Sequence, residues 1–378
     1  TNLPALASAP LTDNLVFGRT NNPWDLKRTV GGSSGGSAAA LAAGMTPIEI
    51  GTDASGSIRM PAHYNGIFGL KTTEHLISFH GAKPPGMDQI IPEMRKFTTA
   101  RHQAVSGPMA RSVEDLQLLL SIIAGPDPNS VQTVDVPILY PEPKPLQNIK
   151  VAWTNSSPGK FAGQEMGQIS KAYALVISDF IKKLDSAGLS IEKKNLTSQY
   201  MTQTNTTSFR LFNIEYEYFT PALPRIMTIL TNAPGSEYSV LNQSYENYQR
   251  LLTERDRLRS LLDSFLNDYD ALLVPVTMAA AYPLPEIKFD MGMADITTTI
   301  TIDGKDYFNI AVNAAYPTPF NLTGHPVVVI PIGFTDEGMP VGIQVVGKRW
   351  RDAELLVVAQ QLFEAAGEFK HPPGYMDN

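Results

Sequence analysis

Apolar residues follow two rhythms along the 378-residue chain, and each predicts a different kind of element. Short apolar runs bounded by turn residues read as strands: "TPIEIGT" (46–52), "IKVAWT" (149–154), "ALLVPV" (271–276), "VVVIPIGF" (327–334) and "VGIQVVG" (341–347). The last two flank the turn-like "TDEGMP", which predicts an antiparallel hairpin attached to the sheet. Spacings of three and four predict helices in "SVEDLQLLLSIIAG" (112–125), "ISKAYALVISDFIKKLDSAG" (169–188) and "DAELLVVAQQLFEAAG" (352–367). A longer surface helix is predicted within 237–270, where Leu251, Leu252, Leu258, Leu261, Leu262, Phe265 and Tyr269 recur among charges. Ser112 with Asp115 resembles a capping box, Asp standing in for the usual Glu or Gln.

The proline-rich stretch 126–146 separates two such series and reads as a surface connection. Strands near both ends, with helices between them and no internal repeat, predict an α/β fold built on a large mixed, twisted sheet with helices on both faces.

Composition narrows the function. Apolar residues make up 43% of the chain, enough for a sizeable core, and the net charge of −7 argues against a nucleic-acid partner, which needs a clustered basic surface. With no cysteine, disulfides, thiolate metal sites and a cysteine nucleophile are excluded. The six histidines form no metal-binding spacing, so no cofactor and no metal are expected. Five N-x-[ST] sequons, at Asn155, Asn195, Asn205, Asn242 and Asn321, carry little weight in a chain rich in these residues. No apolar run reaches the roughly 20 residues of a membrane helix, and no signal pattern opens the chain, so no membrane span is expected; the compartment is left open, with a cytoplasmic location favoured over others.

The stretch "GGSSGGSAAALAAG" (31–44) raises the chemical question. It lacks both nucleotide-loop spellings. Gly32 to Gly36 formally matches G-x-S-x-G, which would make Ser34 a nucleophile with His325 as base, but the upstream "NNPWDLKRTV" offers no strand to lead into such an elbow. The glycines could also form no more than a tight start to a helix.

A third reading joins this stretch to "GTDASGSIRMPAHYNGIFGLKTT" (51–73). Together they resemble the amidase signature family, whose hallmark is a G-G-S-S-G-G loop followed by G-x-D-x-G-G-S-I-R-x-P and G-x-x-G-L-K. Ser33 and Ser57 stand 24 residues apart, as in that family. Segments 107–127 and 317–356 are also similar to it, whereas 150–260 shows no matching motif and reads as a variable helical region. The resemblance implies one domain over 1–378, its catalytic loops within 31–73.

What the resemblance implies for the site is specific. Ser57 is the expected nucleophile, attacking an amide or ester carbonyl to form an acyl-enzyme, and Ser33, on a cis peptide to Ser34, relays its proton to a neutral lysine. The backbone amides of Ala54, Ser55 and Gly56 are the expected oxyanion hole, although Ser55 stands where the family usually has glycine. Ser34, Asp53 and Arg59 are expected to brace the loops, and Lys71 to be structural. The relay lysine lies, in the family, in a segment that would precede Thr1, and no lysine present sits in an apolar run that promises a neutral amine. This chain alone is therefore expected to be a poor hydrolase.

The expected substrate is a small or acyl-chain amide, and a homodimer is left open. Two other functions remain: a subunit of a tRNA-dependent amidotransferase, disfavoured by "EHLISFHGAKPPG" where a glycine-arginine stretch is expected, and a non-catalytic relative of the fold.

Overall fold

Eight strands pair into one sheet in the computed structural model, which describes residues 1–4, 7, 9–82, 101–156, 159–161, 164–165, 168–217, 244–284 and 298–376. In chain order these are β1 (Ile48–Asp53), β2 (Phe68–Lys71), β3 (Val105–Ala110), β4 (Lys150–Trp153), β5 (Ser190–Lys193), β6 (Ala271–Pro275), β7 (Val327–Phe334) and β8 (Pro340–Val346). Their spatial order is β1-β3-β2-β7-β8-β6-β4-β5. Pairing is antiparallel from β1 through to β6, and β6–β4 and β4–β5 are parallel, so the sheet is mixed as expected.

The hairpin β7–β8 is not an attachment to this sheet but its centre. Both strands are buried along nearly their whole length, which explains their continuous apolar runs: a strand covered on both faces has no polar side to alternate with. Strands β2, β3 and β5 escape the sequence reading. In β3, Pro108 breaks the strand pattern, since proline lacks the N–H of a ladder donor, yet its neighbours still pair with β1.

The helices are α1 (Gly35–Ala42), α2 (Arg59–Asn65), α3 (Val113–Ile123), α4 (Lys171–Ser186), α5 (Ser198–Glu217), α6 (Tyr245–Leu266), α7 (Asn309–Ala314), α8 (Thr318–Thr323) and α9 (Asp352–Ala366). Adjacent residues of β7 take opposite sides. Val329 packs in a cluster with Ala38, Leu41, Ile58 and Ala62 of the α1–α2 side, and Val328 belongs to the larger core with Phe68, Leu116 and Leu356. Phe68 meets Phe363 of α9 edge-on at 4.9 Å. Helices thus cover both faces.

The predicted Ser112 cap is present, its Oγ accepting the Asp115 N–H at 3.1 Å, and Ser170 and Ser244 cap α4 and α6 in the same way. Segment 150–260 is not purely helical, because it also supplies β4 and β5. The first residues of the predicted 237–270 helix, the Asn242 sequon and residues 83–100 lie outside the described residues. Among the described residues no helix is long and apolar enough to cross a membrane.

Two buried histidines pin the centre of the sheet to its surroundings. His63 Nδ1 accepts the Gly342 N–H of β8 at 2.8 Å, and its Nε2 lies 3.0 Å from the Ala279 carbonyl. His325 Nε2 lies 3.1 Å from Asp263 Oδ1. Burial pushes each imidazole down from 6.5 to about 4. Unfolding therefore takes up protons between those values, so this contribution to stability is intact above pH 6.5 and is lost as pH falls toward 4. We expect the melting temperature to drop across that window in a pH series of thermal melts. His63→Gln should melt lower at pH 7 but with a shallower drop on acidification; an unchanged slope would remove His63 from this account.

Candidate active site

The glycine loop runs into α1 without a preceding strand, and Ser34 takes the N-cap position. Its Oγ is engaged with the Thr52 backbone, accepting the N–H at 3.3 Å. His325 is occupied by Thr323 and Asp263. The Ser34–His325 elbow is thereby corrected: neither residue is arranged for it. At Gly36 a Cβ would lie 2.2 Å from the Asn2 carbonyl oxygen, so glycine lets the first residues of the chain lie against the helix start.

The cis peptide is also displaced from expectation. It lies at Gly32–Ser33, one bond before the expected Ser33–Ser34. A glycine before the bond has no side chain to crowd it. Ser33 itself is 2% exposed.

The second loop starts where β1 ends. Asp53 is buried, and its carboxylate gathers the chain that follows: Oδ1 accepts the Gly56 N–H at 2.7 Å and Oδ2 the Ile58 N–H at 3.2 Å. Arg59 closes the arrangement from α2, with Nε to Oδ2 and Nη2 to Oδ1 both at 2.9 Å. Burial alone would raise the Asp53 carboxyl, but the Arg59 charge and the hydrogen bonds of Arg59 and Asn321 outweigh it and hold it well below the usual carboxylate range. Ser57 sits half-buried at the tip of this turn.

The two loops meet through backbone, the Ser34 N–H donating to the Ser57 carbonyl at 3.1 Å. Gly56 has φ +114°, and a Cβ there would lie 2.6 Å from Pro317 Cγ, so the turn requires glycine. Of the three expected oxyanion amides, that of Gly56 already points to Asp53. The half-buried Ala54 and Ser55 stand beside Ser57 with their amides outside that bond.

Three further residues lie around this turn, Gln344 and Asn321 without a site role in the sequence reading and Lys71 expected there to be structural. Arg59 Nη1 donates to Gln344 Oε1 at 2.6 Å and to the Pro317 carbonyl at 2.9 Å, and Gln344 Nε2 reaches the Pro275 carbonyl at 2.7 Å. Asn321, with no exposed surface, donates to both the carbonyl and the carboxylate of Asp53. Gln344 has a sequence signal, a polar residue inside "VGIQVVG"; Asn321 reads only as a sequon, a role its burial rules out.

Lys71 is the third. It has no exposed surface, and burial, reinforced by the Arg59 charge, pushes its amine down from 10.5 to about 7. The expectation that no lysine here is placed to be neutral is therefore corrected, and the overlooked signal is the apolar "IFGL" before it. Its Nζ donates to the carbonyls of Thr72 and His325, at 3.0 and 2.8 Å.

Known proteins share this sequence pattern and this fold. The Amidase family model matches residues 1–356. The chain is 30% identical, over 394 aligned residues, to the A-type subunit of the glutamyl-tRNA(Gln) amidotransferase of Geobacillus stearothermophilus, covering 98% of this chain and 74% of that one. The solved structure of the corresponding Thermotoga maritima protein superposes with a TM-score of 0.73 at 27% identity, over 98% of this chain and 75% of its own. A solved amidase gives 0.71 at 26% identity, over 97% and 74%.

Removing one partner of a buried, hydrogen-bonded ion pair leaves the other charge uncompensated, at a cost of about 3–5 kcal/mol. Arg59→Met should therefore lose stability on that order in urea unfolding. Asp53→Asn, which leaves the guanidinium unpaired, should lose a similar amount; values near zero for both would show that the pair does not hold this turn.

Proposed function

The chain belongs to the amidase family, and we propose from that premise that it hydrolyses an amide, or an ester, of a small or acyl-chain substrate, with Ser57 as nucleophile. The observation that carries this reading is the turn closed by Asp53 and Arg59, which presents Ser57 half-buried against the glycine loop. Ser57 Oγ attacks the carbonyl carbon while its proton passes to Ser33 Oγ, whose own proton goes to the neutral relay lysine that the family resemblance implies upstream of Thr1. The carbon–nitrogen bond then breaks, the amine leaves with the returned proton, and water releases the acyl group from Ser57. The amides of Ala54 and Ser55 stabilise the oxyanion, with Gly56 available where its bond to Asp53 lengthens.

Ser34, Asp53 and Arg59 hold the loops. Lys71 is not read as the relay base, because its amine faces two carbonyls rather than a serine. We read 1–378 as one amidase signature domain with these loops at its centre.

A second reading is favoured by the amidotransferase relatives: one component of a larger enzyme, releasing ammonia from an amide for a partner. Glutamine turnover that depends on a co-purifying protein would favour it over simple hydrolysis.

In the full-length enzyme carrying the relay lysine, a fluorophosphonate should label Ser57, as peptide mapping will read, and Ser57→Ala should abolish both label and turnover. Ser33→Ala should lower kcat by roughly 100- to 10,000-fold with unchanged circular dichroism. A label on Ser34, or full activity in the Ser33 variant, contradicts the relay.

A further inference from the structure

We propose that Asn321 is a positioning residue for the nucleophile loop, set in its orientation by Gln103; this rests on the reading of Ser57 as nucleophile. Asn321 stands on α8, and its carboxamide joins three segments that are distant in sequence. Nδ2 lies 3.0 Å from the Asp53 carbonyl, 2.9 Å from Asp53 Oδ1 and 3.0 Å from the Gln103 carbonyl. Oδ1 accepts from Arg59 Nη2. Only one orientation of the amide satisfies this set, because the flipped form would turn Nδ2 toward the guanidinium and Oδ1 toward the carboxylate.

Asn321 thereby binds the backbone and the side chain of Asp53 together. The same carboxylate must accept from Gly56 and Ile58 on either side of Ser57. A shift of Asp53 would pass directly to the nucleophile, and a misplacement of about 1 Å can cost on the order of 100-fold in rate.

Gln103 is the anchor on the other side. It is 1% exposed and held at φ +75°, a left-handed conformation that side chains other than glycine rarely adopt. Its N–H donates to Glu74 Oε1 at 2.7 Å, its Nε2 to the Ser208 carbonyl at 3.2 Å, and its Oε1 accepts from Ser208 Oγ. Its carbonyl remains for Asn321. Such a backbone persists where its surroundings over-determine it, and here every polar group of the residue takes part. Glu74 is in turn bound by Arg255 and Arg259 of α6. The loop that carries Ser57 is thus referenced, through two buried amides, to helices α5 and α6.

The test compares Asn321→Ala with Asn313→Ala. Asn313 is equally buried, and it bonds Tyr64, Tyr282 and Asn309 away from the loop. Both variants should lower the melting temperature. Only Asn321→Ala should speed hydrogen exchange of the 51–60 peptide, by about tenfold or more, and lower kcat by roughly 10- to 100-fold with KM within about twofold. Asn321→Asp, the same shape without the donors, gives the same readings should the alanine variant fail to fold. Wild-type exchange and kcat in the Asn321 variants, or equal changes in Asn313→Ala, overturn the proposal. If Ser57→Ala retains turnover, the reading of Ser57 as nucleophile fails instead, and the exchange ratio alone supports or overturns the positioning role.

Discussion

A guanidinium and a carboxylate that are both removed from water must satisfy each other completely, and the Asp53–Arg59 pair imposes that demand on everything near it. Each has side-chain exposure of 0%, so neither can draw on solvent for a missing hydrogen bond. Asp53 meets the demand with two amides of its own loop, two nitrogens of Arg59 and one of Asn321. Arg59 meets it with Gln344, Pro317 and Asn321 besides. The shape of the turn around Ser57 is the geometric solution to that problem.

The centre of the sheet supplies much of the solution. Gln344 lies on β8, the strand paired with β7 on one side and β6 on the other, and its amide connects Arg59 to the carbonyl at the end of β6. A polar side chain at the middle of a buried strand is costly unless each of its groups is paired, and here the pairing ties α2 to two strands. The loop of Ser57 follows β1, the outermost strand, while the α1–α2 side that carries both loops packs on Met109 of β3 and Val329 of the central β7.

Beyond the pair, buried charge continues through Lys71, Glu74 and Asp352. Glu74 is pulled down to about 2: burial would raise it, but Arg255 and its other neighbours prevail. Asp352 moves upward, burial outweighing its bonds to Thr73, and accepts from both the Thr73 N–H and its hydroxyl. Lys71 is pushed down to about 7 by burial and then by the Arg59 charge, while the carboxylates of Asp53, Glu74 and Asp352 oppose the shift. One low-dielectric region thus holds two acids shifted in opposite directions and a base shifted down, and β2 and the residues following it bring them together.

Strands with continuous apolar runs and helices with caps and spacings of three and four were legible in the chain, because burial on both faces and amphipathicity are written locally. The strand at 105–110 was not: its proline contradicts the local pattern, and only pairing to neighbours on both sides makes it a strand. The motif residues Ser33, Ser57, Asp53 and Arg59 could be named from their spelling, since two short stretches of sequence carry them. Their supports could not. Gln103, Asn321 and Gln344 are ordinary polar residues far apart in the chain, and their roles arise when folding removes water from Asp53 and Arg59. The depressed Lys71 amine has the same origin: a proton affinity depends on what surrounds it, and the carbonyl of His325 that meets its Nζ comes from a segment 254 residues away.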